Sequence, residues 1–411
     1  MKCVVVGGGV IGTSVAWHLA AEPGCEVTLL ERDQLSSGTT WHSAGNITWK
    51  PLPDHDAPIL YALETIRRLE DELSLHTGWL RTGRLFLGKA SATLETFDRF
   101  NREARSRDIP SRWLKAEEAR ALNPLLTSEI FKDIWLDPLS GRLNPSDLTQ
   151  AYATAARRAG ARIVETAEVT GLRTGGGRVT AVRVKDTWLD ADLVVIAGGL
   201  WSRGLLEPLG IQLAQWPCQH FYLIADVTPR LGRQTPSFVA PDDLLYGREE
   251  TGSLLFGCFD ESALTIDPAD LPVPFTFTLL PPNWDKIEPY FLRAVEIFPA
   301  LETAPIRQFV NGPESFTPDG LPLIGRLDNI EGLVVATGMN SVGVTWSAMT
   351  GKLVSCIATG RDSGLEASRY DPNRFGGRGS DLAWLKEEVS EIVSRGYIHQ
   401  SLGDRGAVRL G

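Results

Sequence analysis

Apolar and polar positions change their spacing along this chain, and the first change is the most informative. Residues 2–6 form a short apolar run of strand type, residues 11–20 carry an apolar helix pattern, and Gly7-Gly8-Gly9-Val10-Ile11-Gly12 joins them. A second strand ends at Glu31, 19 residues past Gly12. Strand, glycine turn, helix, strand and acid in this order form the layout that holds the ADP half of a dinucleotide. Gly7 permits the tight turn, Gly9 lets the backbone approach a pyrophosphate, and Gly12 lets the helix pack close to the strand. The helix N-terminus offers N–H groups to the phosphates, and Glu31 is placed for the ribose hydroxyls.

Beyond Glu31, residues 32–49 are polar and rich in Ser, Thr and Gly, a stretch whose backbone suits a path along a long cofactor. Helical spacing returns at 59–73, 92–105 and 116–122, with a strand at 84–89 between the first two. Pro145 opens a helix that runs to 159, with Asn144 as its cap. Strands are predicted at 161–165, 178–184 and 193–197, with Gly175-Gly176-Gly177 as a hairpin turn. Four short strand patterns at 215–226, 237–240, 244–248 and 254–259, separated by Pro, Asp and Gly turns, predict an antiparallel platform. A helix at 282–298, strands at 306–310 and 333–336, and helices at 344–359 and 381–393 complete the pattern.

Length adds a division to this picture, because hydrophobic cores stop growing near roughly 250–300 residues and the chain has 411. The expected plan is α/β: a discontinuous Rossmann-like nucleotide domain (1–83, 144–214, 312–375), an α+β substrate domain on a mostly antiparallel sheet (84–143, 215–311), and a C-terminal helical tail (376–411). Such a plan puts a pocket between the domains. A formal charge of −10 repels polyanions, so nucleic acid is not an expected partner. The five cysteines are scattered and show no metal-type spacing, which predicts neither disulfides nor a metal site and a reducing compartment. The apolar start is broken by three glycines and has no cleavage-type end, and no window reaches the roughly 18 apolar residues of a membrane span. A cytoplasmic protein is expected.

Four further motifs carry a family resemblance: Gly38-Thr39-Thr40-Trp41-His42-Ser43-Ala44-Gly45, Asp192-Leu193-Val194-Val195-Ile196-Ala197-Gly198-Gly199, Asn311-Gly312-Pro313-Glu314-Ser315-Phe316-Thr317-Pro318-Asp319-Gly320, and Gly338-Met339-Asn340-Ser341-Val342-Gly343. With them the chain resembles the FAD-dependent amine oxidoreductases of the D-amino acid oxidase superfamily, and within it the flavin halves of dimethylglycine and sarcosine dehydrogenases. The resemblance implies FAD as cofactor, held by Gly7, Gly9, Val10, Ile11, Gly12, Glu31, Arg32, Thr39, Thr40, His42, Ser43, Ala44, Gly45, Val169, Ala197, Gly198, Gly199, Trp201, Gly338, Asn340, Ser341, Val342, Gly343, Val344 and Thr345.

By the same resemblance, His42 is bonded covalently to the methyl at the flavin's 8 position; the alternative is a histidine that only hydrogen-bonds the cofactor loop. Neutral imidazole is a nucleophile near neutral pH. Monomeric sarcosine oxidases attach flavin through a cysteine at the place held here by Gly312. They also bind the substrate carboxylate through a lysine where this chain has Thr345.

On the substrate side, alternation puts His220 and Tyr222 on one face of a strand and Tyr246 and Arg248 on one face of its neighbour. All four are candidate catalytic or pocket residues, with Arg248 the leading carboxylate clamp. Each is equally open to a structural role, as packed core or as an ion pair.

The resemblance implies oxidative N-demethylation of an N-methyl amine or N-methyl amino acid, releasing formaldehyde. Its alternatives are oxidation of another amine, such as an imino acid, an opine or a D-amino acid, and a non-catalytic regulatory role. Oxygen, a quinone or a flavoprotein is the expected electron acceptor. The family's dehydrogenases commonly continue into a folate-binding half, whereas this chain stops soon after Phe375, so a separate partner subunit is a further expectation.

Overall fold

Two sheets face each other across the middle of the molecule, and the residues between them belong to neither alone. The structure is a computed structural model and describes residues 1–131 and 133–396; the part of the expected tail at 397–411 lies outside the described residues. The first sheet has the order Leu323–Arg326, Leu333–Thr337, Leu193–Ile196, Lys2–Val6, Glu26–Leu30, Arg162–Val164. All neighbours are parallel except the first pair.

These strands read as near-continuous apolar runs because both faces are covered. One face carries the helices Val10–Ala20, Pro145–Arg158 and Gly343–Thr359. The other packs Val4, Val6, Val194 and Ile196 against Val169, Val179 and Val182 of a small three-stranded sheet. Asn144 caps its helix as the pattern predicts, accepting from the Ser146 and Asp147 amides with Pro145 at the first position.

The second sheet has eight strands in the order Ile306–Phe316, Trp216–Ala225, Ser253–Cys258, Leu245–Glu250, Ser237–Ala240, Arg84–Gly88, Asp133–Asp137, Arg112–Leu114. Its pairs are antiparallel apart from Ser237–Ala240 with Arg84–Gly88. Period-two alternation splits each strand between two cores. Phe221, Leu223, Phe238 and Phe256 pack outward with Ile287, Tyr290 and Ile297 of the helix Trp284–Ile297. Tyr222, Ile224, Val239, Tyr246 and Phe86 face inward, toward the nucleotide half. The fold is thus mixed α/β, with one parallel-dominated and one mostly antiparallel sheet.

The strand starting at Ile306 corrects the sequence reading. It was expected to end at 310, with a domain boundary at 311/312, yet it continues to Phe316. Gly312, Pro313 and Glu314 pair with His220, Gln219 and Cys218. A proline is tolerated here because this is an edge strand, where the missing N–H removes no bond on the open side. Among the described residues no helix is long and apolar enough to cross a membrane, no metal-type cluster occurs, and all five cysteines are free thiols.

Candidate active site

A trough runs from the glycine turn toward the space between the sheets. It is lined by Gly7, Gly9, Val10, Ile11, Glu31, Arg32, Thr39, Thr40, Ser43, Val169, Ala197, Gly198, Gly199, Trp201, Ser341, Gly343 and Val344 among others, and its empty volume is about 1620 Å³ counted with its open mouth. The helix Val10–Ala20 begins here after Gly9, which has no side chain to cap it; the Val10 amide donates to the Thr40 hydroxyl at 3.1 Å, and the helix's positive end faces the trough. Gly12 shapes this wall without lining it, since a Cβ there would lie 1.9 Å from the Gly7 carbonyl oxygen. Glu31 accepts from the Gly8 amide at 2.6 Å and the Asp33 amide at 2.9 Å. Burial pushes its carboxyl above the usual range, against the pull of those two donors. A carboxylate has about four acceptor sites, so the Glu31 oxygens keep capacity for ribose hydroxyls.

Gly338 and Asn340 line neither this trough nor the cavity beyond it. They hold the turn before the helix Gly343–Thr359: Asn340 donates to the Gly338 carbonyl at 2.6 Å and accepts from the Thr317 amide at 2.9 Å.

The trough opens into a second cavity of about 1380 Å³, again counted with its mouth. Ser43, Glu314, Ser341 and Val344 line both spaces and mark the seam between them. Of the residues singled out from sequence, His42, Ala44, Gly45, His220, Tyr222, Tyr246, Val342 and Thr345 line this second cavity. His220 Nε2 and the Tyr246 hydroxyl share a hydrogen bond of 2.8 Å. Burial holds the Tyr222 phenol far above its ordinary pKa, and the nearby Arg248 charge opposes this.

His42 sits at the end of the short turn Thr39–His42 and is 3% exposed. Its ring lies edge-on to Trp41 and against the bare Cα of Gly312. Burial lowers its pKa to about 4, opposed by Glu314 and reinforced by His220. The imidazole is therefore neutral at physiological pH, and its Nε2 is buried without a hydrogen-bond partner among the described residues. A neutral, unpartnered ring nitrogen beside the seam of a dinucleotide trough fits FAD, whose ring system would reach from the trough into the cavity.

Arg248 is not in the cavity wall, which corrects its assignment as the substrate clamp. Its Nε donates to the Ala44 carbonyl at 2.5 Å, and its Nη1 donates to the Glu249 carbonyl at 2.8 Å and pairs with Glu250 at 2.7 Å. It ties the sheet to the loop that carries His42.

Three charged residues that the sequence reading did not single out do line the cavity: Lys50, Arg84 and Glu314. Glu314 was within reach of sequence reasoning, because it follows Gly312 by two positions and so shares its face. Glu314 accepts a hydrogen bond from the Ser341 hydroxyl. Lys50, half-buried by surface area, has protein packed around its ammonium; this desolvation, and then the Arg84 charge, lowers its pKa to about 7.

A strap from the second sheet crosses the outer wall of the trough. Thr276 donates to Asp33 at 2.7 Å, the Phe277 amide to the Ser37 carbonyl at 3.0 Å, and Arg32 to the Phe275 carbonyl at 3.4 Å. Phe275 meets Trp201, and Phe277 meets Trp41.

A nucleotide trough of this kind, continued into a cavity under an antiparallel sheet, defines a flavin-binding class of protein. More particularly, the chain belongs to the family described as FAD dependent oxidoreductase, whose model matches residues 2–357. It is 30% identical over 398 residues to the 4-methylaminobutanoate oxidase (formaldehyde-forming) of Paenarthrobacter nicotinovorans, covering 97% of this chain and 48% of that protein. To the mitochondrial sarcosine dehydrogenase of Mus musculus it is 29% identical over 404 residues, covering 96% and 43%. The chain spans about half the length of these curated relatives. Its fold is similar to that of L-proline dehydrogenase from P. horikoshii, with a TM-score of 0.77 at 24% identity, covering 91% of this chain and 97% of the other.

Proposed function

We propose that this protein catalyses oxidative N-demethylation of a secondary or tertiary N-methyl amine or N-methyl amino acid, with FAD held covalently through His42. The observation that carries the reading is the aromatic cavity with its His220–Tyr246 pair, opening onto the trough beside a neutral His42. Bound flavin supplies the two-electron acceptor. The chain's own residues have three tasks.

They must hold the methyl C–H bond at the seam, which the walls of Tyr222, Phe86, Phe259 and Trp346 do by filling the remaining sides. They must keep the nitrogen neutral, because a protonated amine has no lone pair to support loss of hydride. His220, through its bond to Tyr246, takes the ammonium proton, and the dry wall disfavours the charged form. They must then admit water, so that the iminium product hydrolyses to formaldehyde and the demethylated amine.

The names of both curated relatives support this reading, one through a methylamino acid and formaldehyde, the other through sarcosine. The test is anaerobic mixing of the yellow holoprotein with sarcosine, dimethylglycine and 4-methylaminobutanoate. Bleaching of the flavin with stoichiometric formaldehyde is expected. A protein that no N-methyl amine bleaches overturns the reading.

A further inference from the structure

We infer that the cavity is built for a substrate whose anionic group lies several carbons from the reacting nitrogen, an ω-(methylamino) acid and not an α-amino acid, an assignment that rests on the N-demethylation reading above. The charged residues of the cavity form two poles. Glu314 is the anionic one: it lies at the seam with the trough, flanks His42 and is held by Ser341. This is the end where an amine must meet the cofactor.

The cationic pole is elsewhere. Among the described residues, Lys50 and Arg84 are the lysine and arginine that line the cavity. Arg84 opens the strand Arg84–Gly88, which lies five steps across the sheet from the strand Ile306–Phe316 that carries Glu314. Five steps at about 4.8 Å make roughly 24 Å of sheet between the two strands. Sheet curvature and the inward reach of two side chains shorten that gap.

Against that strand separation, an α-amino acid spans only about 2.5 Å from nitrogen to carboxyl carbon, set by two bonds of about 1.5 Å. Arg84 is fixed at its own end of the cavity, since its guanidinium donates to Thr48 and, at 3.2 Å, to the Phe238 carbonyl of the neighbouring strand.

The wall between the poles is what a methylene chain requires. Tyr222, Tyr246, Val239 and Phe86 come from four strands that lie between the two poles or at the cationic end, and present apolar surface to the cavity. In the cavity wall next to the seam residue Val344, position 345 is a threonine whose hydroxyl donates to the Asn46 carbonyl at 3.3 Å, so the start of the helix Gly343–Thr359 brings no cation there. Asp137, paired in register with Arg84, offsets part of the cationic charge, and burial pushes its own pKa up to about 6. A carboxylate reaching this pole meets the planar Arg84 guanidinium and the Lys50 amine, whose charged form the incoming anion itself favours.

The experiment follows anaerobic flavin bleaching by wild-type holoprotein with a homologous series, from sarcosine to 6-(methylamino)hexanoate, and with N-methylbutylamine as the carboxylate-free control. The apparent second-order rate is expected to rise at least about tenfold from sarcosine to the four- or five-carbon acids, the effect of one charge-assisted contact. Lys50→Met is expected to shrink the ratio between 4-methylaminobutanoate and N-methylbutylamine. As a reading apart from turnover, pentanoate is expected to perturb the wild-type flavin spectrum at lower concentration than acetate. A series that is flat or favours sarcosine, or a ratio that Lys50→Met leaves as it was, overturns the assignment while demethylation stands. Failure of every member to bleach overturns both.

Discussion

The imidazole of His42 fills the space that a side chain at position 312 would need: a Cβ built on Gly312 lies 2.3 Å from His42 Cε1 and 2.5 Å from Nδ1. The residue pair is mutually dependent, and glycine at 312 is what lets the ring lie this close to the edge strand. Gly312→Ala therefore displaces the ring or the strand, at a cost of about 1–3 kcal/mol, as overpacking generally does. Denaturant midpoints read the stability change. Acid precipitation reads the flavin, which is expected in the supernatant for His42→Ala and in reduced amount in the Gly312→Ala pellet. A fully yellow pellet from His42→Ala would remove the covalent assignment.

Arg248 is a tie between the sheet and the Ala44 loop, so its replacement acts on stability. Lysine keeps the charge but cannot serve the Ala44 and Glu249 carbonyls and the Glu250 carboxylate at once. Arg248→Ala is expected to cost roughly 1–3 kcal/mol, the penalty for leaving the buried carbonyl acceptors unpaired, because the Glu250 carboxylate is itself partly exposed. The apparent substrate affinity constant of whatever fraction folds is expected to stay the same. Thermal melts and steady-state kinetics on the same preparations separate the two effects.

The His220–Tyr246 bond makes a kinetic prediction. Tyr246→Phe removes the hydroxyl 2.8 Å from His220 Nε2, and flavin reduction is expected to slow roughly tenfold. His220→Gln is expected to cost about a hundredfold, within the usual range for a lost acid–base group. Both losses should be larger at low pH, where the amine arrives protonated. Stopped-flow reduction at several pH values checks this, and a variant impaired equally at all pH values would point to packing instead.

His18 gives a stability signature. Its Nδ1–H donates to the Ser14 carbonyl at 2.8 Å and its Nε2 accepts from Tyr61 at 3.1 Å, the tautomer that a carbonyl partner requires. Burial lowers its pKa to about 4, against about 6.5 when unfolded. Above pH 6.5 both states are neutral and its contribution is complete. As pH falls from 6.5 to 4 the unfolded chain takes up the proton first, and stability drops; below 4 the loss is constant. The loss amounts to roughly 2 kcal/mol once the partly exposed ring is allowed for. Urea melts at pH 7 and pH 4.5 should show this difference in wild type and a smaller one in His18→Gln.

The nucleotide half was readable from sequence because its signals are local: Gly7 to Gly12 and Glu31 fall within one strand–helix–strand unit, and the buried parallel strands are apolar throughout. The cationic pole was not, since Lys50 lies in an irregular segment and Arg84 at a strand start, and only the fold brings them to one cavity. Alternation correctly grouped Arg248 with Tyr246, but the carbonyl that engages it belongs to Ala44, 204 residues earlier. No periodicity carries that information. Pro313 likewise reads as a break until the strand is known to lie on an edge.

The strap residues Phe275, Thr276 and Phe277 belong to one half of the molecule and fasten onto Arg32, Asp33 and Ser37 of the other, beside the place where the adenosine end must lie. A prosthetic group lying there is fastened by both halves at once. Where His42→Ala removes the covalent bond, the strap still fastens the group to both halves, so in that variant the appearance of unbound yellow colour on heating is expected to trace the same curve as the loss of ellipticity.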